Sequence, residues 1–473
     1  MNNSVNMREL ALEALLEIGR EGRQCHTVIR QVLEKYQYLP RQDRAFFKRL
    51  CEGTLERRIT LDYIIDCFSK VKTRRMKPVL REILRMAVYQ MKYMDGVPDS
   101  AAVNEAVKLA RKKGFHGLTG FVNGVLRAVL REGGQISWPE EDAVRSLSVR
   151  YSMPEYLVEK WLGQLNAGEL PAPEGEASGT CTQRTVREGA YALTERVCQG
   201  LLAEAPLTVR VRQTDNTVPE TLESLRSQGV TVEPAPYLDY AFYLSGYGRL
   251  DELKAFQEGR IQVQDVSSML AVEAAGIRPG DFVLDLCAAP GGKSLLAADK
   301  AGKEGRVAAR DLTLHKVEML RENIARSGLG NITAEQADAA KPDPSMKERA
   351  DVVLADLPCS GYGVIGRKAD IKYRASRESE EELVRLQRRI LTQAALYVKP
   401  GGILLYSTCT ICREENQENV KWFRENFPFR PDDLRPFLCE ELCGGTAAEG
   451  YLQLLPGLHQ CDGFFLARLK KEG

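Results

Sequence analysis

Two cysteines stand at the ends of two predicted strands, where they could perform covalent chemistry together. Cys359 follows an apolar strand in the stretch DLPCSG, and Cys409 follows another apolar strand in YSTCT. If these strands are neighbours in a parallel sheet, both thiols reach one crevice. A thiolate that adds to carbon 6 of a pyrimidine makes carbon 5 reactive enough to accept a methyl group. The reaction also needs a hydrogen-bond partner for the ring and a base for the proton on carbon 5.

A loop between a predicted strand and a predicted helix offers a cofactor site. It runs from Asp285 to Ser294 with the sequence DLCAAPGGKS. Its two glycines allow a ligand to approach the backbone, and the helix N-terminus faces that ligand. A Walker A loop would need glycine at Cys287, and the dinucleotide fingerprint GxGxxG is absent. The candidate cofactor-binding residues of the loop are Cys287, Ala288, Ala289, Pro290, Gly291, Gly292 and Lys293.

Two carboxylates follow the next two predicted strands. Asp311 lies 20 positions after Gly291, where a carboxylate can accept hydrogen bonds from ribose hydroxyls. Asp338 follows the third strand and could accept a hydrogen bond from an adenine amine. Each aspartate alone could also be a helix cap or a turn residue. Together with the loop they predict a nucleoside ligand without a pyrophosphate, for which S-adenosylmethionine is the candidate.

Other cysteines raise the alternative of a zinc site. Cysteine and histidine pairs at short spacing can bind zinc. We predict no metal, because the strand-end motif explains Cys409 better and nothing else in the chain is similar to a zinc ribbon. The candidate ligands are Cys409, Cys412, Cys439, Cys443, His459 and Cys461.

The elements that must position these residues form three regions. Residues 1–135 have apolar side chains at helical spacing and predict an all-α bundle. Residues 136–260 predict a linker helix and a small α+β domain similar to an RNA-recognition motif. Residues 261–473 alternate strands and helices, which predicts a Rossmann-like parallel sheet with ligands beyond the carboxyl ends of its strands. The last strand, 463–469, could join an edge of the sheet antiparallel.

Composition and charge narrow the class of protein. The chain has 473 residues, which predicts several domains, and contains no apolar run long enough to span a bilayer. The N-terminus lacks the apolar segment of a signal peptide, and 12 cysteines then indicate reduced thiols in the cytoplasm. Residues 1–135 hold 25 Lys and Arg against 15 Asp and Glu, although the net charge of the chain is only +1. This basic region favours nucleic-acid binding, and five of its cations lie within 70–77.

The N-terminal region resembles the NusB-type RNA-binding bundle. The resemblance rests on five short segments in order, and it implies that the basic surface contacts RNA. The segments are 44–47, Gly53-Thr54-Leu55, Ile83-Leu84-Arg85, Asn104-Glu105-Ala106-Val107 and Phe121-Val122-Asn123-Gly124.

The C-terminal region resembles the RNA cytosine-C5 methyltransferases, and with the bundle it resembles the RsmB (Sun/Fmu) family, which acts on 16S rRNA. The resemblance implies that Cys409 is the nucleophile, that Cys359 helps to release the product and that Asp356 binds the cytosine ring. It also implies S-adenosylmethionine as cofactor and small-subunit rRNA, free or assembling, as partner. Further matching segments are Gly363-Val364-Ile365, Asp370-Ile371-Lys372, Glu414-Glu415-Asn416 and Asp462-Gly463-Phe464-Phe465.

Departures from the family leave alternatives open. Leu357 stands where relatives commonly have alanine, and 367–370 reads RKAD where they have RHPD, in a loop expected to touch RNA. A tRNA cytosine-C5 methyltransferase would share the catalytic motifs. A non-catalytic RNA-binding or assembly factor would need neither thiol. We expect a monomer.

Overall fold

The computed structural model describes residues 5–132, 136–166, 183–213 and 218–473. The chain divides into two compact units. Among the described residues, the first, here the helical unit, comprises 5–132, 136–166, 183–202 and 365–374, and the second, here the sheet unit, comprises 203–213, 218–364 and 375–473. The prolines and glycines of 168–180 predict a loop, and Gly133-Gly134 predicts a helix end, but both segments lie outside the described residues. The predicted domain boundaries after 135 and after 260 stay predictions.

The helical unit confirms the predicted all-α bundle. Apolar residues three and four positions apart bury one face of each of the first seven helices in a common core. Its helices are α1 (Met7–Glu21), α2 (Cys25–Lys35), α3 (Arg41–Glu56), α4 (Arg58–Phe68), α5 (Pro78–Tyr93), α6 (Asp99–Lys112), α7 (Thr119–Glu132), α8 (Ala143–Tyr151), α9 (Glu155–Asn166) and α10 (Gln183–Gly200).

A short segment from the C-terminal part of the chain belongs to the helical unit. Within residues 365–374, Lys372 is fully buried, and its Nζ donates to the Glu56 carbonyl oxygen at 2.7 Å. Burial lowers the pKa of Lys372 to about 7. The Tyr373 hydroxyl donates to the Leu55 carbonyl at 2.7 Å, and the Arg58 guanidinium lies 3.6 Å from the Tyr373 ring centre. Residues 365–374 are therefore packed into the bundle, while the predicted RNA contact of this loop stays a prediction.

The sheet unit begins with a small antiparallel sheet in the order β2-β3-β1-β4. Its strands and helices agree with the small α+β domain expected in this region, while the similarity to an RNA-recognition motif stays a prediction. The buried Arg210 of β1 pairs with Asp299, so the small sheet and the larger part of this unit share buried polar contacts. The elements are β1 (Leu207–Val211), α11 (Val218–Ser227), β2 (Thr231–Pro234), β3 (Ala241–Ser245), α12 (Lys254–Gln257), β4 (Ile261–Val263) and α13 (Val266–Ala275).

The larger sheet has eight strands and confirms the predicted Rossmann-like fold. Its order is β10-β12-β9-β8-β5-β6-β7, and β11 also pairs with β12. Strands β5 to β9 pair in parallel, so their carboxyl ends lie along one edge of the sheet. The elements are β5 (Phe282–Asp285), α14 (Gly292–Ala301), β6 (Arg306–Asp311), α15 (Leu314–Ser327), β7 (Ile332–Gln336), β8 (Ala350–Asp356), α16 (Arg377–Tyr397), β9 (Val398–Thr408), α17 (Gln417–Asn426), β10 (Phe429–Pro431), β11 (Tyr451–Leu454) and β12 (Phe464–Lys471).

The last strand joins the parallel part of the sheet as expected and is itself paired on its other side. The apolar tail forms β12 and pairs antiparallel with β9, as expected. It does not lie at the edge, because β10 and β11 both pair with its other side. The two short strands are too brief to be distinctive in the sequence, and they cover the backbone groups that an edge strand would expose.

Candidate active site

The cofactor loop leaves the sheet at the carboxyl end of β5 and enters α14. Gly291 has a φ of 111°, which an L side chain rarely adopts, and a Cβ there would come within 3.1 Å of the Leu320 side chain. The Ala288 N–H donates to the Arg310 carbonyl oxygen at 2.8 Å. The loop is thus held by backbone geometry next to β6, as its glycines predict.

Asp285 is a buried acid that sequence reasoning did not include among the candidate site residues. Its Oδ2 accepts a hydrogen bond from the Ser294 hydroxyl at 2.6 Å, and only 1% of the residue is exposed. Burial raises the pKa of Asp285 to about 7, although the bond from Ser294 acts in the opposite direction. The sequence signal for Asp285 was its position as the first residue of the DLCAAPGGKS loop.

Asp311 ends β6 and reaches back to the cofactor loop. Its carboxylate accepts from the Ala289 N–H at 3.0 Å and from the Leu312 N–H at 2.8 Å, and Lys316 Nζ lies 3.1 Å away. A carboxylate has about four acceptor positions, of which these contacts use three, and only 2% of Asp311 is exposed. Asp338 lies beyond the end of β7, half-buried, and its Oδ1 accepts from the Ala340 N–H at 3.0 Å.

The two predicted thiols lie together at the ends of adjacent parallel strands. Asp356 of β8 is in register with Ser407 of β9, and the chain continues from each strand to a cysteine. The Sγ atoms of Cys359 and Cys409 are 3.3 Å apart. The hydrogen bond with Cys409 and burial raise the pKa of Cys359, which favours its neutral thiol.

Asp356 links the thiol loops to the cofactor loop. Its Oδ2 lies 2.8 Å from Lys293 Nζ, and its Oδ1 accepts from the Ser407 hydroxyl at 2.9 Å. Burial lowers the pKa of Lys293, but the negative charge of Asp356 outweighs this effect and leaves the pKa above its usual value. Lys293 and Asp356 therefore lie close enough to interact electrostatically with the thiols, Lys293 with Cys409 and Asp356 with Cys359.

Two glycines let two distant segments meet behind Cys409. The Gly363 N–H donates to the Cys409 carbonyl oxygen at 3.1 Å, and the Gly463 N–H donates to the Gly363 carbonyl at 2.9 Å. A Cβ on Gly363 would come within 2.0 Å of the Gly463 carbonyl oxygen. Close backbone approach therefore explains why both segments carry glycine.

The structure adds residues that bond to the thiol loops and that sequence reasoning did not propose for the site. Glu415 accepts from the Ser360 N–H at 3.0 Å, and Asn416 donates to the Thr410 carbonyl at 3.0 Å. Both side chains are fully buried. In the sequence, both residues belong to the segment 414–416, which matches the family pattern but does not indicate what either residue does.

The six candidate zinc ligands do not converge among the described residues. The group of three or more metal-ligating side chains found there is Glu380, Cys412 and Glu414, which includes only one of the six. The Cys443 thiol lies 3.3 Å from the Cys439 carbonyl oxygen, and His459 Nδ1 accepts from the Leu455 N–H at 2.9 Å. These side chains have other partners within the protein.

Comparison with known proteins gives the family. A family model described as 16S rRNA methyltransferase RsmB/F matches residues 274–470, and the NusB family model matches residues 5–131. A Bacillus subtilis protein named "Probable ribosomal RNA small subunit methyltransferase B" is 36% identical over 99% of each chain. The chain belongs to the RsmB family.

Further comparisons agree with this membership. The Cronobacter sakazakii ribosomal RNA small subunit methyltransferase B is 29% identical over all of both chains. The crystal structure of PH0851 shares the fold, with a TM-score of 0.75 and 24% identity over 99% of each chain. RsmB-family proteins are S-adenosylmethionine-dependent RNA methyltransferases. Among the helices that the structure describes, none is long and apolar enough to cross a membrane.

Proposed function

We propose that the protein transfers a methyl group from S-adenosylmethionine to carbon 5 of a cytosine in 16S rRNA, through a covalent bond between Cys409 and carbon 6. The main support is the pair of sulfur atoms 3.3 Å apart at the ends of β8 and β9. A pure RNA-binding factor has no use for two thiols at this position. The family membership supports small-subunit rRNA as the substrate.

The proposed roles follow the demands of the reaction. The Cys409 thiolate adds to carbon 6 and the electrons of the ring double bond move to carbon 5, while Asp356, held by Lys293 and Ser407, accepts a hydrogen bond from the cytosine amine. Bound S-adenosylmethionine supplies an electrophilic methyl group. After a base removes the proton from carbon 5, the bond to Cys409 breaks and its electrons return to sulfur. The protonated Cys359, whose pKa is raised, is placed to assist this release.

The proposed cofactor site uses the carboxyl ends of β5, β6 and β7. The backbone of residues 287–293 lines this site. Asp311 accepts hydrogen bonds from the ribose hydroxyls, and Asp338 accepts one from the adenine amine. Leu312, which directly follows Asp311 in the chain, supports this assignment. It is 57% exposed, and its side chain offers an apolar surface to a flat base.

The proposed RNA-binding surface includes the basic stretch of the helical unit. All five cations of 70–77 are exposed, namely Lys70, Lys72, Arg74, Arg75 and Lys77. Such a cluster can neutralise phosphates and gives a salt-dependent affinity. The target cytosine must leave its stack to reach the thiols, which costs least in a loop or a single strand. We expect the protein to act as a monomer in the cytoplasm, where its described cysteines stay free thiols.

The test is to incubate the protein with S-adenosylmethionine and undermethylated small-subunit rRNA and to measure 5-methylcytidine in the digested nucleosides by mass spectrometry. Parallel reactions use tRNA and assembly-intermediate subunits. We expect a signal on rRNA or on the subunits. Formation of 5-methylcytidine in tRNA alone would support the cytosine-C5 reaction but reject rRNA as the substrate. Methyl transfer to another position would reject the cytosine-C5 reaction.

A further inference from the structure

We propose that Glu415 and Asn416 are positioning residues with separate tasks, Glu415 for the loop that carries Cys359 and Asn416 for the loop that carries Cys409. The inference rests on the proposed covalent mechanism and deepens it. Both residues lie directly before α17, and neither is exposed to solvent. They therefore act through the loops rather than by touching the RNA.

Glu415 holds the backbone on the carboxyl side of Cys359. Its Oε2 accepts from the Ser360 N–H at 3.0 Å and from Gln387 Nε2 at 2.8 Å. The same Gln387 nitrogen donates to the Pro358 carbonyl oxygen at 2.9 Å. The residues before and after Cys359 are thus both tied to one buried carboxylate–amide pair.

Asn416 holds the backbone around Cys409 in the same way. Its Nδ2 donates to the Thr410 carbonyl oxygen at 3.0 Å, and its Oδ1 accepts from the Thr408 hydroxyl at 2.6 Å. The Nδ2 also donates to Gln453 Oε1 at 2.9 Å, so the amide has its own buried anchor. Both neighbours of Cys409 are therefore bonded to one side chain.

The two sets of contacts involve different side chains, Glu415 with Gln387 on one side and Asn416 with Gln453 on the other. Glu415 and Asn416 are consecutive, so one peptide bond fixes the spacing of the two anchors. The Ser360 and Thr410 hydroxyls lie 2.7 Å apart and join the loops beside the sulfur atoms. Because each anchor serves one cysteine, weakening each should reproduce the defect of that cysteine's own loss.

Isosteric substitutions can separate the two tasks. In Glu415→Gln an amide oxygen can still take the Oε2 position, because Oε1 has no hydrogen-bond partner among the described residues. The negative charge is lost, however, so the bonds from the Ser360 N–H and the Gln387 amide weaken and the Cys359 loop is held less firmly. Asn416→Asp removes the donor to Thr410 and sets a carboxylate oxygen against its carbonyl, so the Cys409 loop is released. Glu418→Gln is a matched control, because Glu418 is half-exposed and pairs with Arg413 at 3.6 Å.

The experiment measures protein–RNA adduct on a denaturing gel and methyl transfer over many turnovers, with undermethylated small-subunit rRNA. We expect Glu415→Gln to accumulate adduct, as Cys359→Ala does, and to lose turnover. We expect Asn416→Asp to form little adduct and to slow the first methyl transfer by about 100-fold, the cost of a misplacement near 1 Å. Glu418→Gln should match the wild type. Calorimetry with S-adenosylmethionine shows that each variant is folded.

The outcomes separate this inference from the proposed function. If Cys359→Ala gives no adduct, the covalent mechanism fails and this inference fails with it. If Cys359→Ala gives adduct but Glu415→Gln does not, or if both isosteric variants change adduct in the same direction, the positioning roles alone are wrong. Should Glu415→Gln fail to bind the cofactor, Gln387→Met replaces it, and we expect the same accumulation of adduct. A folded Gln387→Met without adduct would contradict the role of the Glu415 anchor.

Discussion

The two halves of the crevice are built in different ways. The cofactor half, at the ends of β5 and β6, is centred on one continuous loop, whose shape depends mainly on the backbone conformation of Gly291 and which is joined to the neighbouring strand by a bond from the Ala289 N–H to the Asp311 carboxylate. The thiol half, at the ends of β8 and β9, is held by buried side chains that arrive from α16 and from the turn before α17, such as Gln387 and Glu415.

This difference has physical consequences. A loop held by backbone geometry tolerates changes in side chains that do not touch the ligand. A loop held by buried polar side chains depends on every partner, since an unmatched donor or acceptor costs about 1–3 kcal/mol. We therefore expect cofactor affinity and covalent chemistry to respond to different substitutions.

The largest effect is expected from Cys409→Ala. Without the nucleophile the carbon 5 of cytosine stays unreactive, so methyl transfer should fall by at least about 1,000-fold. Calorimetry should show an unchanged dissociation constant for S-adenosylmethionine, because the cofactor half is intact. Cys443→Ala, a cysteine outside the crevice, is the control. Normal turnover of Cys409→Ala would reject the assignment of the nucleophile.

Cys359→Ala should produce a different defect on the same half. The first methyl group is transferred, but release stalls, and the protein stays bound to RNA through Cys409. A denaturing gel should show the adduct, and the adduct should disappear in the double variant with Cys409→Ala. Fast turnover without adduct would show that Cys359 has no part in release.

On the cofactor half, Asp311→Ala should weaken binding of S-adenosylmethionine by about 10- to 100-fold, the loss of one charged hydrogen bond. Calorimetry measures this directly, and Asp433→Ala, an exposed aspartate paired with Arg435, serves as control. At saturating cofactor the variant should still form adduct with RNA. An unchanged dissociation constant would contradict the ribose role.

The smallest effect concerns the stability of the cofactor half. The pKa of Asp285 is raised to about 7 in the folded protein, whereas an unfolded aspartate ionises near pH 4. Between these values the folded state binds more protons, so wild-type stability falls as the pH rises. We therefore expect the difference in melting temperature, Asp285→Asn minus wild type, to become more positive between pH 5 and pH 8. A flat or falling difference would show that Asp285 is ionised throughout.

The same contrast explains what the sequence could predict. The alternation of strands and helices in the sheet core and the cofactor loop follow from contiguous patterns, namely apolar strands, a glycine turn and an acid such as Asp311 at a strand end. The two thiols could be expected in one crevice, because parallel strands end at one edge.

Contacts between distant residues were beyond prediction. Gln387 reads as an ordinary polar position of a long helix, and its bond to the Cys359 loop depends on how α16 packs. Lys372 reads as an exposed cation, yet it is buried and bonded to Glu56, 316 positions away. The cover that β10 and β11 give to β12 was missed because such short strands carry little pattern.

The most direct test of the central claim traps the covalent intermediate. In small-subunit rRNA with fluorine in place of hydrogen at carbon 5 of cytosine, methyl transfer can occur but the base cannot remove fluorine as a proton. Reaction with S-adenosylmethionine should therefore stop at the adduct, and mass spectrometry of the digested complex should locate the bond. We predict a methylated fluorocytidine on Cys409. An adduct on Cys359, or 5-methylcytidine formed from unmodified rRNA with no adduct from the fluorinated RNA, would contradict the account.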